Sequence, residues 1–142
     1  MANATYTALK QGLLNAEYDF NTASIKVALV RAYTFSAAHA TMADITTAGG
    51  VVNGTSAALT TPVITGGVFD ADDTTITTAS SAVTHVLIVY QASAVTGGAD
   101  VAAASQKLIA YFDTGTGLPV TPGTGTLTVT WAATTNKILK IG

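Results

Sequence analysis

Residues 126–131 alternate strictly between polar and apolar side chains, with threonine at every second position. A period of two is typical of a strand with one buried face and one solvent-exposed face. A second apolar run covers residues 107–112, and a loop rich in glycine and proline separates the two runs. We therefore expect the two runs to pair as a hairpin across this loop, with Trp131 inside the fold. A final apolar run, residues 138–141, follows.

Five further segments have the composition of strands. Residues 24–30 place Ile25, Val27 and Leu29 on one face and Lys26, Ala28 and Val30 on the other, which predicts a core strand. Residues 82–91 are apolar on both faces, which predicts a central strand covered on both sides or one face committed to a partner. Residues 51–60 and 62–69 are weakly patterned and interrupted by glycine, which predicts edge positions. Residues 74–78 form a short strand with Ile76 facing inward.

About seven or eight short strands separated by turn signals predict an all-β fold. We expect a single domain over residues 1–142, a β-sandwich of jelly-roll or immunoglobulin-like type with one short N-terminal helix. That helix is predicted over residues 5–15, where apolar side chains recur at helical spacing. Gly12 lies inside it and lowers its stability by about 1 kcal/mol relative to alanine.

Two long connections lack a clear pattern. Residues 31–49 carry a few apolar anchors and a helical turn around residues 36–44, and residues 93–106 form a loop of small side chains. Connections of this length inside a compact domain are usually functional or disordered.

The composition excludes several classes of function. Charged residues make up only 10% of the chain, the net charge is -2, and the six cations are spread singly, so no basic stripe favours a nucleic-acid partner. The chain contains no cysteine and no apolar run long enough to span a membrane. Because residues 1–6 lack a basic segment followed by an apolar one, we expect no secretory signal there. A surface with so little charge is poorly protected against association and favours a protein that works within an assembly.

Asp70, Asp72 and Asp73 form the densest charge cluster, and alternate aspartates can ligate calcium. The spacing of an EF-hand fails, because Thr75 stands where glycine is needed and Ser81 where glutamate is needed. We therefore interpret the cluster as a turn whose carboxylates accept hydrogen bonds from nearby backbone amides.

His39 and His85 are the only histidines, and no serine has the setting of a nucleophile. Two histidines without cysteine argue against a zinc site. The glycines at 115–117 and 123–125 lack the lysine of a phosphate-binding loop. We predict no catalytic, metal-binding or cofactor-binding residue, no cofactor, and no enzymatic activity.

Four stretches together resemble a family of small virion proteins of tailed bacteriophages. The first is residues 12–30, which carry Ile25-Lys26-Val27-Ala28-Leu29-Val30, and the second is residues 67–73, which carry Gly67-Val68-Phe69-Asp70. The third is residues 108–122, which carry Leu108-Ile109-Ala110-Tyr111-Phe112-Asp113, and the fourth is residues 128–140, which carry Thr128-Val129-Thr130-Trp131. Their order and spacing span nearly the whole chain, and the chain departs from the family pattern at residues 123–125 and 92–105.

The resemblance implies a head decoration or cement protein on the outer surface of the assembled capsid, where it would bridge capsomers and stabilise the shell. The expected partners are the major capsid protein and further copies of the chain in a dimer or trimer, with no nucleic acid and no membrane. The candidate contact segments are the N-terminal residues 1–6 and the loops 33–50 and 92–106, since termini and loops can order against a partner at little cost to the fold.

An alternative is a tail or adsorption-apparatus protein, including one that binds carbohydrate. Such a protein needs exposed aromatic rings beside carboxylates, for which Tyr33, Phe35 and Asp44 are the candidates.

Overall fold

The computed structural model describes residues 3–94, 97–133 and 137–141. Within these ranges ten strands, two α-helices and one 3-10 turn follow one another. In chain order they are β1 (Ala4–Thr5), α1 (Thr7–Leu14), β2 (Ser24–Arg31), α2 (Met42–Thr47), β3 (Val51–Thr55), β4 (Val63–Thr65), β5 (Val68–Asp70), β6 (Thr74–Thr78), β7 (Val86–Ser93), the 3-10 turn (Ala103–Ser105), β8 (Lys107–Phe112), β9 (Gly125–Val129) and β10 (Leu139–Lys140).

The main sheet has five antiparallel strands in the order β1-β8-β7-β2-β3. β7 is the central strand, which confirms the prediction from its apolar residues on both faces. β2 pairs with β7 over Ser24 to Val30, with Val27 opposite Val89 and Leu29 opposite Leu87. β3 is an edge strand, as its glycine and weak pattern predict.

Two smaller sheets form the second layer, one of three strands in the order β10-β5-β4 and one in which β6 pairs with β9. Ile76 of β6 lies opposite Leu127 of β9, and the threonines at 75, 77, 126 and 128 are exposed. The predicted alternation of both strands is therefore confirmed. The predicted hairpin between 107–112 and 126–131 is wrong, because β8 pairs with β7 and β1 in the main sheet.

One face of the main sheet packs against the two smaller sheets. Leu29, Leu87 and Ile109 of the main sheet share a buried cluster with Phe69 of β5 and Ile76 of β6. This is the core of a sandwich, so the predicted all-β, sandwich-like fold with a short helix is confirmed.

The other face of the main sheet is covered by the connection 33–50 and by Tyr6. Tyr33, Met42 and Ile45 are buried there against Ile88. Residues 42–47 form α2, so the helical turn expected around 36–44 begins later than predicted. This long connection closes a second hydrophobic cluster, which accounts for its length.

The helix predicted over 5–15 is confirmed as α1. Gly12 in it is buried, and a Cβ atom at this position would lie 2.4 Å from Cε2 of Tyr18. The hydroxyl of Tyr18 in turn donates a hydrogen bond of 2.8 Å to the carbonyl of Leu108 in β8. The glycine that weakens the helix is therefore what allows the Tyr18 ring to pack against it.

Trp131 follows β9 and is only half-buried, with its ring centroid 6.3 Å from that of Phe112. Its Nε1 is buried and has no hydrogen-bond partner within the described part of the chain. No helix among the described residues is both long and apolar enough to cross a membrane.

Candidate binding surfaces

The aspartates of the 70–73 turn point to three different partners. Asp70 forms an ion pair with Lys137, and Asp73 Oδ1 accepts a hydrogen bond of 2.9 Å from the amide of Trp131. Asp72 Oδ2 accepts hydrogen bonds from the hydroxyls of Thr60 and Thr61. Each carboxylate thus joins the turn to a neighbouring segment. Over residues 3–94, 97–133 and 137–141 no group of three or more His, Asp or Glu side chains is placed to hold a metal ion.

His85 is fully buried immediately before β7. Its Nδ1 lies 2.9 Å from the carbonyl oxygen of Val83, and its Nε2 lies 3.2 Å from Nδ2 of Asn53 in β3. The first contact requires a proton on Nδ1 and the second requires a lone pair on Nε2, so the neutral Nδ1–H tautomer fits the site. Asn53 also exchanges two hydrogen bonds with the backbone of Ala79, which fixes its orientation.

His39 belongs to a chain of aromatic side chains over the covered face of the main sheet. Its Nδ1 lies 2.8 Å from the hydroxyl of Tyr33, which accepts a longer hydrogen bond, 3.4 Å, from the hydroxyl of Tyr6. Burial, and next the hydrogen bond to Tyr33, raise the pKa of Tyr6 far above its ordinary value. Phe35 packs beside this chain, with its ring centroid 5.0 Å from that of Tyr111.

Asp44 lies in the first turn of α2 and caps its N-terminus. Its Oδ2 accepts hydrogen bonds of 2.9 Å from the amides of Ala40 and Thr41, and the hydroxyl of Thr41 adds a third. The backbone hydrogen bonds from Ala40 and then Thr41 lower the pKa of Asp44 below its ordinary value. The three candidates for a sugar site are therefore engaged within the fold, because Tyr33 is buried, Phe35 packs on Tyr111 and Asp44 caps a helix.

The three segments considered for partner contact have different positions. Of the N-terminal segment, Met1 and Ala2 lie outside the described residues, and residues 4–5 form the edge strand β1. The segment 33–50 is largely a cover of the core. In the segment 92–106, residues 95 and 96 lie outside the described residues, and residues 99–105 are exposed and linked to β2 by an ion pair between Lys26 and Asp100.

Three exposed aliphatic side chains that the sequence analysis did not single out lie on or beside the three-stranded sheet, and two of them, Val63 and Ile64, are successive in β4 and so point to opposite faces of it. Val63 and Ile64 of β4 and Ile141 just after β10 are about half exposed, at 47%, 55% and 53%. All three residues of β4 are exposed, and β4 is the outer strand of its sheet. We call Val63, Ile64 and Ile141 the hairpin surface, because Val63 and Ile64 lie in the β4–β5 hairpin and Ile141 donates its amide hydrogen to Gly67 at the turn of that hairpin.

An open groove of about 730 Å³ separates the two layers of the sandwich at one side. It is lined by β1 and β8 of the main sheet and by β10 of the three-stranded sheet. β1 and β10 are each the outermost strand of their sheets over the described ranges. We call this space the edge groove. Its apolar lining includes Ala110, Phe112 and Leu139.

Three lysines line the edge groove: Lys10, Lys137 and Lys140. No aspartate or glutamate of the described part of the chain lines it. Lys137 pairs with Asp70, whereas Lys10 and Lys140 have no ion-pair partner among the described residues. The groove is therefore a local concentration of positive charge on a chain of net charge -2.

Sequence reasoning could not find the edge groove, because Lys10 and Lys140 stand near opposite ends of the chain and only the strand order brings them together. The hairpin surface did leave a signal, since the glycine-interrupted run 62–69 predicted an edge strand. The run is however two strands joined at Gly66 and Gly67, and only β4 lies at the edge, whereas β5 is central in its sheet. Comparison of the chain with protein-family models, with curated proteins and with solved structures finds no match in any of the three.

Proposed function

We propose that the protein is a head decoration protein of a tailed bacteriophage, which binds the outer surface of the assembled capsid and bridges neighbouring capsomers. The observation that carries the proposal is the hairpin surface, where three large aliphatic side chains about half exposed lie on or beside one small sheet with an exposed outer strand. Exposed apolar side chains on both faces of an exposed outer strand favour association with another protein.

The low charge of the chain supports the same role. Burying a surface on which few groups are ionised costs little desolvation free energy. Weak contacts of this kind become strong on a lattice, because many linked copies bind many equivalent sites at once. A dimer or trimer of the chain would match the two-fold and three-fold positions of a capsid and would multiply its contacts.

Binding to the assembled shell, and not to loose capsid subunits, would stabilise the shell by linkage. A ligand at a concentration 100 times its dissociation constant stabilises the state it binds by about 2.7 kcal/mol per site. Heads stripped of the protein should then release their DNA at a lower temperature than complete heads, and adding the protein back should restore the difference.

Cryo-electron microscopy of the intact particle tests the location. We expect density for this fold over the outer head in a copy number comparable to that of the major capsid protein. Density confined to the tail would support the alternative of a tail or adsorption-apparatus protein and would overturn the capsid role. Absence from the particle would overturn both.

A substitution in the hairpin surface tests the contact itself. Ile64→Asp places a charge on an exposed position, so we expect the protein to fold normally and to bind isolated heads at least tenfold more weakly, since a charge buried at an interface is strongly unfavourable. The matched control is Leu14→Asp, at an aliphatic side chain of α1 that is 90% exposed. Equal loss of binding in both variants, or in neither, would contradict a specific role of the hairpin surface.

A further inference from the structure

The edge groove lies where both layers of the sandwich present an outer strand. β1 ends the main sheet on this side and β10 ends the three-stranded sheet, and residues of both strands line the groove. The outer edge of a strand carries backbone N–H and C=O groups that can pair with a further strand. An extended segment laid in the groove would therefore find hydrogen-bonding groups along at least one wall.

The charge of the groove selects the chemistry of that segment. Lys10, Lys137 and Lys140 line it without a carboxylate from the described residues, and only Lys137 has an ion-pair partner there. Acidic side chains of a partner would be attracted to these lysines, and the attraction would raise the association rate as well as the affinity.

The apolar lining adds a second requirement. Ala110 and Phe112 of β8 and Leu139 of β10 line the groove; Ala110 and Leu139 are almost fully buried in the core, and the half-buried Phe112 offers the largest accessible apolar surface of the three. Side chains of a strand alternate between two faces, so an added strand can direct one row toward this lining and the other row toward the lysines. An alternation of aliphatic and acidic residues satisfies both.

From these observations we propose that the edge groove binds an extended segment of a partner protein, with alternating aliphatic and acidic side chains, as an added β-strand. Recognition by strand addition uses backbone hydrogen bonds for affinity and the alternate side chains for specificity. A nucleic acid fits the groove less well, because three lysines beside an apolar lining offer neither a phosphate track nor exposed rings for base stacking. The proposal concerns this surface alone and does not depend on the capsid role.

The direct test uses a synthetic peptide of about eight residues that alternates valine and glutamate, titrated into the isotope-labelled protein and followed by NMR. We expect chemical-shift changes centred on Ala4, Thr5, Leu139 and Lys140, and an affinity that falls as salt is added. The same peptide with lysine in place of glutamate should bind at least tenfold more weakly. Shift changes that map elsewhere, or equal binding of the two peptides, would overturn the proposal.

Two double variants distinguish the charge of the edge groove from the overall charge of the protein. Replacing both unpaired lysines, Lys10→Gln with Lys140→Gln, should weaken binding of the glutamate peptide about fivefold to twentyfold, as expected for two exposed charges. The control pair Lys26→Gln with Lys107→Gln removes the same charge from outside the groove, at residues that form ion pairs with Asp100 and Glu17. An equal effect of both pairs would show a general attraction between opposite charges and would overturn the proposal.

Two further probes test strand addition and the class of partner. A glutamate peptide methylated on alternate backbone nitrogens cannot donate hydrogen bonds along one edge, and we expect it to lose most of its binding. A single-stranded oligothymidylate should bind more weakly than the peptide. Full binding by the methylated peptide, tighter binding of the oligonucleotide, or self-association of the protein through the same residues would each refute the proposal.

Discussion

Gly54 allows the main sheet to approach the second layer closely, and its replacement by alanine is the sharpest test of the sandwich. A Cβ atom built on Gly54 of β3 would lie 2.3 Å from the carbonyl oxygen of Thr77 and 2.8 Å from Cγ2 of Ile76. Both neighbours belong to β6, and Ile76 is fully buried. Non-bonded carbon atoms make favourable contact at about 3.5–4.0 Å, so the two strands would have to separate by roughly 1 Å.

The expected change in the free energy of unfolding follows from two opposing effects. Forcing an extra methyl group into a packed region costs about 1–3 kcal/mol. Replacing glycine by alanine restricts the unfolded chain and offsets this by about 0.4–1 kcal/mol. We expect Gly54→Ala to lower the free energy of unfolding by about 1–2 kcal/mol, which corresponds to a fall in Tm of about 3–8 °C for a domain of this size.

Thermal unfolding followed by circular dichroism, together with the midpoint of urea unfolding, measures the effect. The matched control is Gly123→Ala, because a Cβ atom at Gly123 meets nothing within 4 Å. Gly123 also lies outside the left-handed backbone region, so this variant should be as stable as the parent or slightly more stable. If Gly54→Ala unfolds at the same temperature as Gly123→Ala, β3 and β6 do not pack as closely as the structure shows.

Three other substitutions test individual contacts by the same unfolding measurements. Gly12→Ala should destabilise the protein by about 1 kcal/mol or more although alanine favours helices, because its Cβ would collide with the Tyr18 ring; a rise in Tm would contradict this packing. Asn53→Ala should cost about 1–3 kcal/mol, because it leaves Nε2 of the buried His85 without a partner; a loss below 0.5 kcal/mol would contradict the contact. Asp44→Asn should cost about 1 kcal/mol near pH 7 by weakening the cap of α2. Because the folded-state pKa of Asp44 is lowered, its contribution is present above the ordinary value of 3.8 and is lost as the pH falls through the folded-state value, so parent and variant should converge in acid.

The apolar pattern of each strand predicted where the strand lies in the sandwich. Adjacency of two strands along the chain was a poorer guide to which strands pair. β2, β7 and β8 carry apolar residues on both faces, and all three lie inside the main sheet, covered on both sides. β6 and β9 carry threonine on one face, and they pair with each other on the outside of the sandwich. The predicted hairpin of 107–112 with 126–131 joined one strand of each kind, which is why it is wrong.

The length of a connection predicted its role less well than the apolar pattern of a strand predicted its position. The unpatterned run 31–49 suggested a functional or disordered loop, yet Tyr33, Met42 and Ile45 bury the outer face of the main sheet. A sheet whose central strand is apolar on both faces needs a cover on each side. The prediction that residues 82–91 form a strand covered on both sides already implied that some segment must cover the second face. The run 31–49 has aromatic and aliphatic side chains and could have been assigned as that cover.

Coverage of both faces of the main sheet limits where a partner can bind. The first face is sealed by the two smaller sheets and the second by the connection 33–50, so neither offers its apolar residues to solvent. Among the described residues, two of the places where apolar side chains and strand edges remain accessible together are the hairpin surface and the edge groove. Margins of sheets bind through backbone pairing and a few side chains, and each such contact is weak when the protein is alone. A protein built in this way gains useful affinity when many copies bind a repeating partner together, which is the condition that a capsid lattice provides.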